Sequence, residues 1–335
     1  MTPPTYRKST HAYEHPSAAE DVMRQVDIYM PDSIEVSADG IDLLVFIHGG
    51  AWRTGDKSEH VDLPSRLSSQ IPESQAKNLI IAVPNYRLSH HPDHPERIST
   101  VHPMHELDIA RSLLWLTDPK NVGSYLGTAS DSYQETRIRS IYLAGHSCGA
   151  TILSNLVFLL PNIPVEARMM IMIWPPPPPG PPSETSWTPE EKEGMLEVMR
   201  KVKGMAFLDG IFDLNDLIDE YPSYEFFVEK AFGTDSKVGG SWDQASVPKQ
   251  STESLPEEVW QLLKATDGPR LVVAHALEDE LLSERQSLNW FKWLKSELGE
   301  SERLVYDNES LIGSHDGSLQ HEGLGVLLAK LVKQS

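Results

Sequence analysis

Ser147 stands at the centre of Gly145-His146-Ser147-Cys148-Gly149, a match to G-x-S-x-G. A serine hydroxyl attacks a carbonyl carbon only when a neighbouring base takes its proton and fixed donors hold the oxyanion that forms. Five residues alone could match in any Gly-rich loop, so the context carries more weight. The pattern follows the apolar run Ile138–Ala144 and opens a second one, Ala150–Leu160. That reads as strand, sharp turn and helix: the glycines permit the turn, and the serine is held exposed over the end of a sheet.

In this arrangement the base follows the last strand and the orienting acid falls between nucleophile and base. Of thirteen histidines, His315 and His321 lie beyond the strand-like Arg303–Tyr306. His315, in the loop Gly313–Gly317, is the candidate base; His321 falls inside a helix-like stretch, at a surface position. The candidate acid is Asp279, three residues past Ala276 in the turn that ends the apolar run Leu271–His275. Glu278 and Glu280 flank it as rivals, and Asp209 and Asp213 after the preceding strand form a second location.

The oxyanion donors are expected in His48-Gly49-Gly50-Ala51-Trp52, directly after the apolar run Leu43–Ile47. Gly49 and Gly50 let the backbone approach a substrate closely. The N–H groups of Gly50 and Ala51, with that of Cys148, are the expected donors. The Cys148 thiol reads as a small buried filler. Trp52 either walls the acyl pocket or packs in the core, and the sequence leaves both open.

His90, His91, His94, His102 and His105 resemble a metal cluster, which would imply metal-dependent hydrolysis. Pro92, Pro95 and Pro103 interrupt them, and no carboxylate–histidine second shell is legible. A structural or surface role is therefore expected, with no metal and no cofactor.

The strands that must position these groups are short aliphatic and β-branched runs: Leu43–His48, Leu79–Val83, Ile138–Ala144, Met205–Leu208, Leu271–His275 and Arg303–Tyr306. Most lack polar alternation, as suits strands buried on both faces. Between them, Leu107, Ala110, Leu113 and Leu114 recur at helical spacing. So do Leu288, Phe291, Leu294 and Leu298, after a Ser283…Gln286 capping-box pattern and before Gly299. The alternation predicts an α/β fold of the α/β-hydrolase type, a mostly parallel sheet flanked by helices. One domain spanning 1–335 is expected, with cap or insertion segments over the carboxyl edge at about 161–204 and 213–268. The first contains the proline run Trp174–Pro182, a loop or polyproline segment that could alternatively dock an SH3 or WW module. Thr188-Pro189-Glu190-Glu191 then reads as a helix start, with an apolar stripe Met195, Met199, Val202 ending at Gly204.

The chain has 335 residues and a formal net charge of −20, which argues against nucleic-acid or anionic-membrane partners. The single cysteine excludes an internal disulfide and fits a reducing compartment. No apolar signal segment is read and the apolar runs are too short for a bilayer, so a cytoplasmic protein is expected. The sequence leaves room for a homodimer.

Together these residues resemble the fungal-type kynurenine formamidases (arylformamidases) of the α/β-hydrolase superfamily. The resemblance rests on His48–Trp52, Asn85-Tyr-Arg-Leu-Ser89 with the His/Pro-rich stretch after it, and Gly145–Thr151. Gly210–Leu214, Ala231–Gly233, Glu278–Leu282 and Gly313–Asp316 extend it over most of the chain from about residue 20. It implies hydrolysis of N-formyl-L-kynurenine, a small aromatic formamide of tryptophan breakdown, to L-kynurenine and formate, and it supports Asp279 as the acid. The segment near 161–203 is longer than the family pattern suggests. A broad carboxylesterase using the same three residues and a non-catalytic hydrolase-fold binding protein are the rival readings.

Overall fold

The computed structural model describes residues 4–13, 21–37, 39–95, 100–127, 137–159, 188–250 and 257–333. The apolar runs become six strands: β3 (Ile41–Ile47), β4 (Leu79–Pro84), β5 (Ile138–His146), β6 (Val202–Leu208), β7 (Arg270–Ala274) and β8 (Leu304–Asp307). Preceding them are β1 (Tyr6–Ala12) and β2 (Gln25–Pro31). The eight form one sheet in the order β1-β2-β4-β3-β5-β6-β7-β8, parallel from β4 to β8 and antiparallel where β2 meets β1 and β4. This is the α/β-hydrolase fold.

Period-two alternation places successive residues of each strand on opposite faces. Leu43, Val45, Leu143 and Phe207 point into a core shared with the helices Met104–Thr117, Cys148–Phe158 and Arg285–Leu298. Leu44, Phe46, Ala144 and Leu208 point into a second core closed by Leu63–Ser68 and Glu322–Val332. Every residue of β3 and β4 is buried, because helices cover both faces. Strand order reverses between β3 and β5, so the loops leaving their carboxyl ends diverge and open a crevice. His48–Trp52 and Ser147 stand on its two sides.

Several local expectations are corrected. β1 and β2 escape the apolar criterion because β1 is a half-exposed edge strand, and Asp27 in β2 pairs with Lys8 (2.6 Å) and accepts the Thr10 hydroxyl (2.7 Å). The Thr188 start is confirmed: its hydroxyl accepts the Glu191 N–H (3.1 Å) and the Glu191 carboxylate accepts the Thr188 N–H (2.8 Å). That helix ends at Lys201, however, and Val202 and Gly204 belong to β6. No capping box forms at Ser283; Gln286 turns inward, and its carbonyl accepts the N–H groups of Phe212 (2.9 Å) and Asp213 (3.0 Å).

The proline run 174–182, like residues 160–187 as a whole, lies outside the described residues. Between β6 and β7, the helix Glu225–Phe232 reaches the carboxyl edge, where Phe232 meets Trp52. The helix Glu257–Lys264 instead flanks the sheet, with Trp260 packed on Phe158. No described helix is long and apolar enough to cross a membrane.

Candidate active site

Ser147 sits between β5 and the helix Cys148–Phe158 with φ 54° and ψ −126°, a region that costs a non-glycine residue about 1–3 kcal/mol. Its surroundings hold it there. The Ser147 N–H donates to Leu208 O (2.8 Å), tying the turn to β6. Both motif glycines are required by close approach: a Cβ on Gly145 would lie 2.4 Å from Gly149 O, and one on Gly149 would lie 2.3 Å from Ile47 O. Among the described residues, the non-glycine residues with positive φ are Ala51, Trp52, Ser147 and Asp209. All four stand at the carboxyl edge of the sheet, so the strain is gathered at the crevice.

The loop after β3 is fixed by Asn85–Ser89, whose role the sequence did not disclose. The Tyr86 hydroxyl donates to His48 O (3.1 Å) and lies 3.2 Å from Gly49 O, and its ring stacks on His48 at 4.5 Å. The Ser89 N–H donates to Trp52 O (2.7 Å), and Asn85 Oδ1 accepts the Lys57 N–H (2.6 Å). Arg87 is clamped by the fully buried Asp108, Nη2 to Oδ1 at 2.6 Å and Nε to Oδ2 at 2.8 Å. This loop runs directly against the turn, since a Cβ on Gly49 would lie 3.0 Å from Ser147 Cβ.

Cys148 is more than a filler. Its Sγ accepts the Trp52 N–H (3.2 Å) and lies 3.5 Å from the Tyr86 hydroxyl. The sulfur thus pins the Gly-rich loop to the start of the helix. Burial pushes the thiol up to about 11. Trp52 is fully buried, its ring edge-on to Phe232 at 4.8 Å.

The structure brings the sequence-predicted base and acid together. His315 Nδ1 lies 2.6 Å from Asp279 Oδ2, with both side chains shielded from solvent. Asp279 is fixed in turn by the N–H groups of Leu281 and Leu282, each 2.8 Å from its Oδ1. Burial alone would lower the His315 pKa; the hydrogen bond and charge of Asp279, with Asp209 and Asp316 nearby, outweigh it and raise the imidazole above 6.5. Glu280 accepts the His315 backbone N–H (3.0 Å), and Glu278 is exposed. Asp213 caps the helix Leu214–Glu220. His321 caps the last helix, its Nδ1 accepting the Gly323 N–H (3.1 Å).

His146 and Asp209 are the neighbours of the base that residue-by-residue reading undervalued. The His146 ring lies 4.6 Å from that of His315, and its Nε2–H donates to His315 O (3.2 Å). Burial and the His315 charge hold it well below the usual imidazole range, so it remains neutral. Nothing in the sequence marks it, because it occupies a free position of G-x-S-x-G.

The His90–His105 group is divided. A carboxylate partner that the sequence did not make legible is present: His102 Nδ1 meets the buried Glu106 at 2.8 Å, and His105 Nε2 lies 3.0 Å from the Ser89 hydroxyl. Both bonds brace the helix Met104–Thr117 behind the loop.

A mostly parallel sheet with a strained serine at a strand–helix turn, and a buried His–Asp pair packed on the histidine before that serine, defines a serine hydrolase of the esterase and formamidase type. The kynurenine formamidase of Debaryomyces hansenii is 30% identical over 259 residues, 75% of this chain and 79% of its own. That of Scheffersomyces stipitis is 28% identical over 256 residues, 75% of this chain and 77% of its own. The chain belongs to the α/β-hydrolase family that includes the kynurenine formamidases. Residues 26–163 also match the BD-FAE family. Among solved structures, an inhibited esterase B from Lactobacillus rhamnosis superposes with a TM-score of 0.58 at 17% identity, covering 99% of this chain and 87% of its own. At that identity the likeness is one of fold.

Proposed function

We propose that this chain is a kynurenine formamidase of the fungal type, converting N-formyl-L-kynurenine and water to L-kynurenine and formate. In this reading His315 Nε2 takes the Ser147 proton as Oγ attacks the formyl carbon, while Asp279 fixes the tautomer and stabilises the imidazolium. N–H groups of the Gly49–Ala51 loop and of Cys148 hold the oxyanion. The imidazolium then protonates the departing aryl-amine nitrogen. Water, deprotonated by His315, attacks the formyl-serine, releasing formate and returning the proton to Ser147.

The observation that carries the reading is the 2.6 Å Asp279–His315 bond, with the His315 ring 4.6 Å from that of His146, the residue directly before the strained Ser147. Likeness to the curated formamidases over three quarters of the chain, 75% in each of two cases, gives it direction. Purified protein should hydrolyse N-formyl-L-kynurenine, and Ser147→Ala should not. The BD-FAE match favours a second reading, a carboxylesterase. Turnover of short p-nitrophenyl esters with none of the formamide would select it.

A further inference from the structure

Asp209, the first residue after β6, is fully buried and held at φ 45°. Its N–H donates to Ala274 O (3.0 Å), and its Oδ1 accepts the Ala276 N–H (2.7 Å), so it grips both ends of the step from β7 into the Asp279 turn. Its Oδ2 has no hydrogen-bond partner among the described residues. The Ser318 hydroxyl bears on it but donates to His315 O (3.0 Å). One nitrogen of His315 and one carboxylate oxygen each of Asp209 and Asp279 lie within 4.8 Å of one another.

We propose that Asp209 is a positioning residue for His315: a second carboxyl that fixes the turn carrying Asp279 and offers the imidazole an alternative partner when Asp279 is removed. The proposal rests on the reading of His315 as the base. A purely structural acceptor for the Ala276 N–H needs no charge, and an unpaired buried oxygen costs free energy that an amide or hydroxyl could avoid. A carboxyl in this place can instead answer the charge that His315 acquires during turnover.

The titratable groups facing Asp209 are His146 from β5, His275 (Nδ1 at 3.2 Å) and Asp279 from the β7 turn, Tyr306 from β8, and His315. Burial, with the charge of Asp279, pushes the Asp209 carboxyl up to about 7. Asp209 and His315 each act on the other's charge, so the two titrate as a coupled set.

The test compares Asp279→Ala, Asp209→Asn and the double variant with wild type, reading kcat/KM against pH on a formamide or ester whose turnover Ser147→Ala abolishes. Asp209→Asn keeps the Ala276 acceptor, should fold, and should move the acid limb to lower pH, because a carboxylate favouring the imidazolium is gone. Asp279→Ala should lose about 10²-fold rather than the ~10⁴-fold of an unsupported base, and the double variant should lose at least about tenfold more. An unmoved acid limb in Asp209→Asn, or a double variant no worse than Asp279→Ala, would overturn the proposal. If Asp209→Asn does not fold, Asp279→Ala decides alone: a loss of about 10²-fold supports the proposal, and a loss of about 10⁴-fold overturns it. Activity surviving Ser147→Ala or His315→Ala would instead overturn the serine mechanism itself.

Discussion

His315 Nδ1 and Asp279 Oδ2 stand 2.6 Å apart, with the carboxylate side chain fully buried. A carboxylate so placed fixes which imidazole nitrogen carries the proton. Asp279→Asn, which preserves shape but presents an amide, should lower kcat about 10⁴-fold. Circular dichroism should confirm an unchanged fold; activity within tenfold of wild type would move the acid role elsewhere.

The same pair sets the pH dependence. The base must be neutral to accept the Ser147 proton, so kcat/KM falls as pH drops through the His315 pKa. Asp279 holds that pKa above 6.5 against the opposing effect of burial. The acid limb should therefore lie above 6.5 in wild type and move down in Asp279→Asn. A limb well below 6.5 in wild type would show that burial prevails.

Cys148 is chemically quiet although it adjoins Ser147. With its thiol pushed up to about 11, thiolate is scarce near neutrality, and the sulfur is buried. Iodoacetamide should label it only after denaturation. Labelling of the folded protein at neutral pH would show that the Gly-rich loop opens in solution.

The Asn85–Ser89 scaffold was legible as a motif, and its purpose was not. Tyr86→Phe removes a hydroxyl shared between His48 O and Gly49 O, which should cost about 1 kcal/mol of stability. It should lower kcat more than it raises KM, because the loop it steadies is assigned to the transition state. An effect confined to KM would place the loop in ground-state binding instead.

Asp108→Ala removes the buried carboxylate that accepts both the Arg87 guanidinium and the Arg87 backbone N–H, and should destabilise the protein by about 3–5 kcal/mol in urea titration. Removing Glu197, the exposed partner of Arg200, should change stability by less than about 1 kcal/mol. Equal effects would contradict the assignment of Arg87–Asp108 as a bracket behind the site.

What the sequence showed well was whatever local pattern determines. The doubly buried strands β3 to β7 are continuous apolar runs, and the serine turn has an obligate glycine on each side. Chain order pointed to His315 and to the turn that carries Asp279, with Glu278 and Glu280 left as rivals beside it. Contacts between distant segments left no such trace. Gln286 looked like a helix cap, yet it serves the loop after β6. The Cys148 sulfur looked inert, yet it accepts a hydrogen bond from Trp52, ninety-six residues earlier. β1 has too little apolar surface to announce itself, since an edge strand is defined by its neighbour's backbone.

The central claim is that Ser147 attacks an N-formyl carbon. Its most direct test is the initial rate of N-formyl-L-kynurenine hydrolysis by wild type and Ser147→Ala, with formate and L-kynurenine both quantified. Equimolar products from wild type, and a loss of about 10⁶-fold in the variant, are the predicted result. Wild-type protein that turns over p-nitrophenyl esters but leaves N-formyl-L-kynurenine untouched would contradict it.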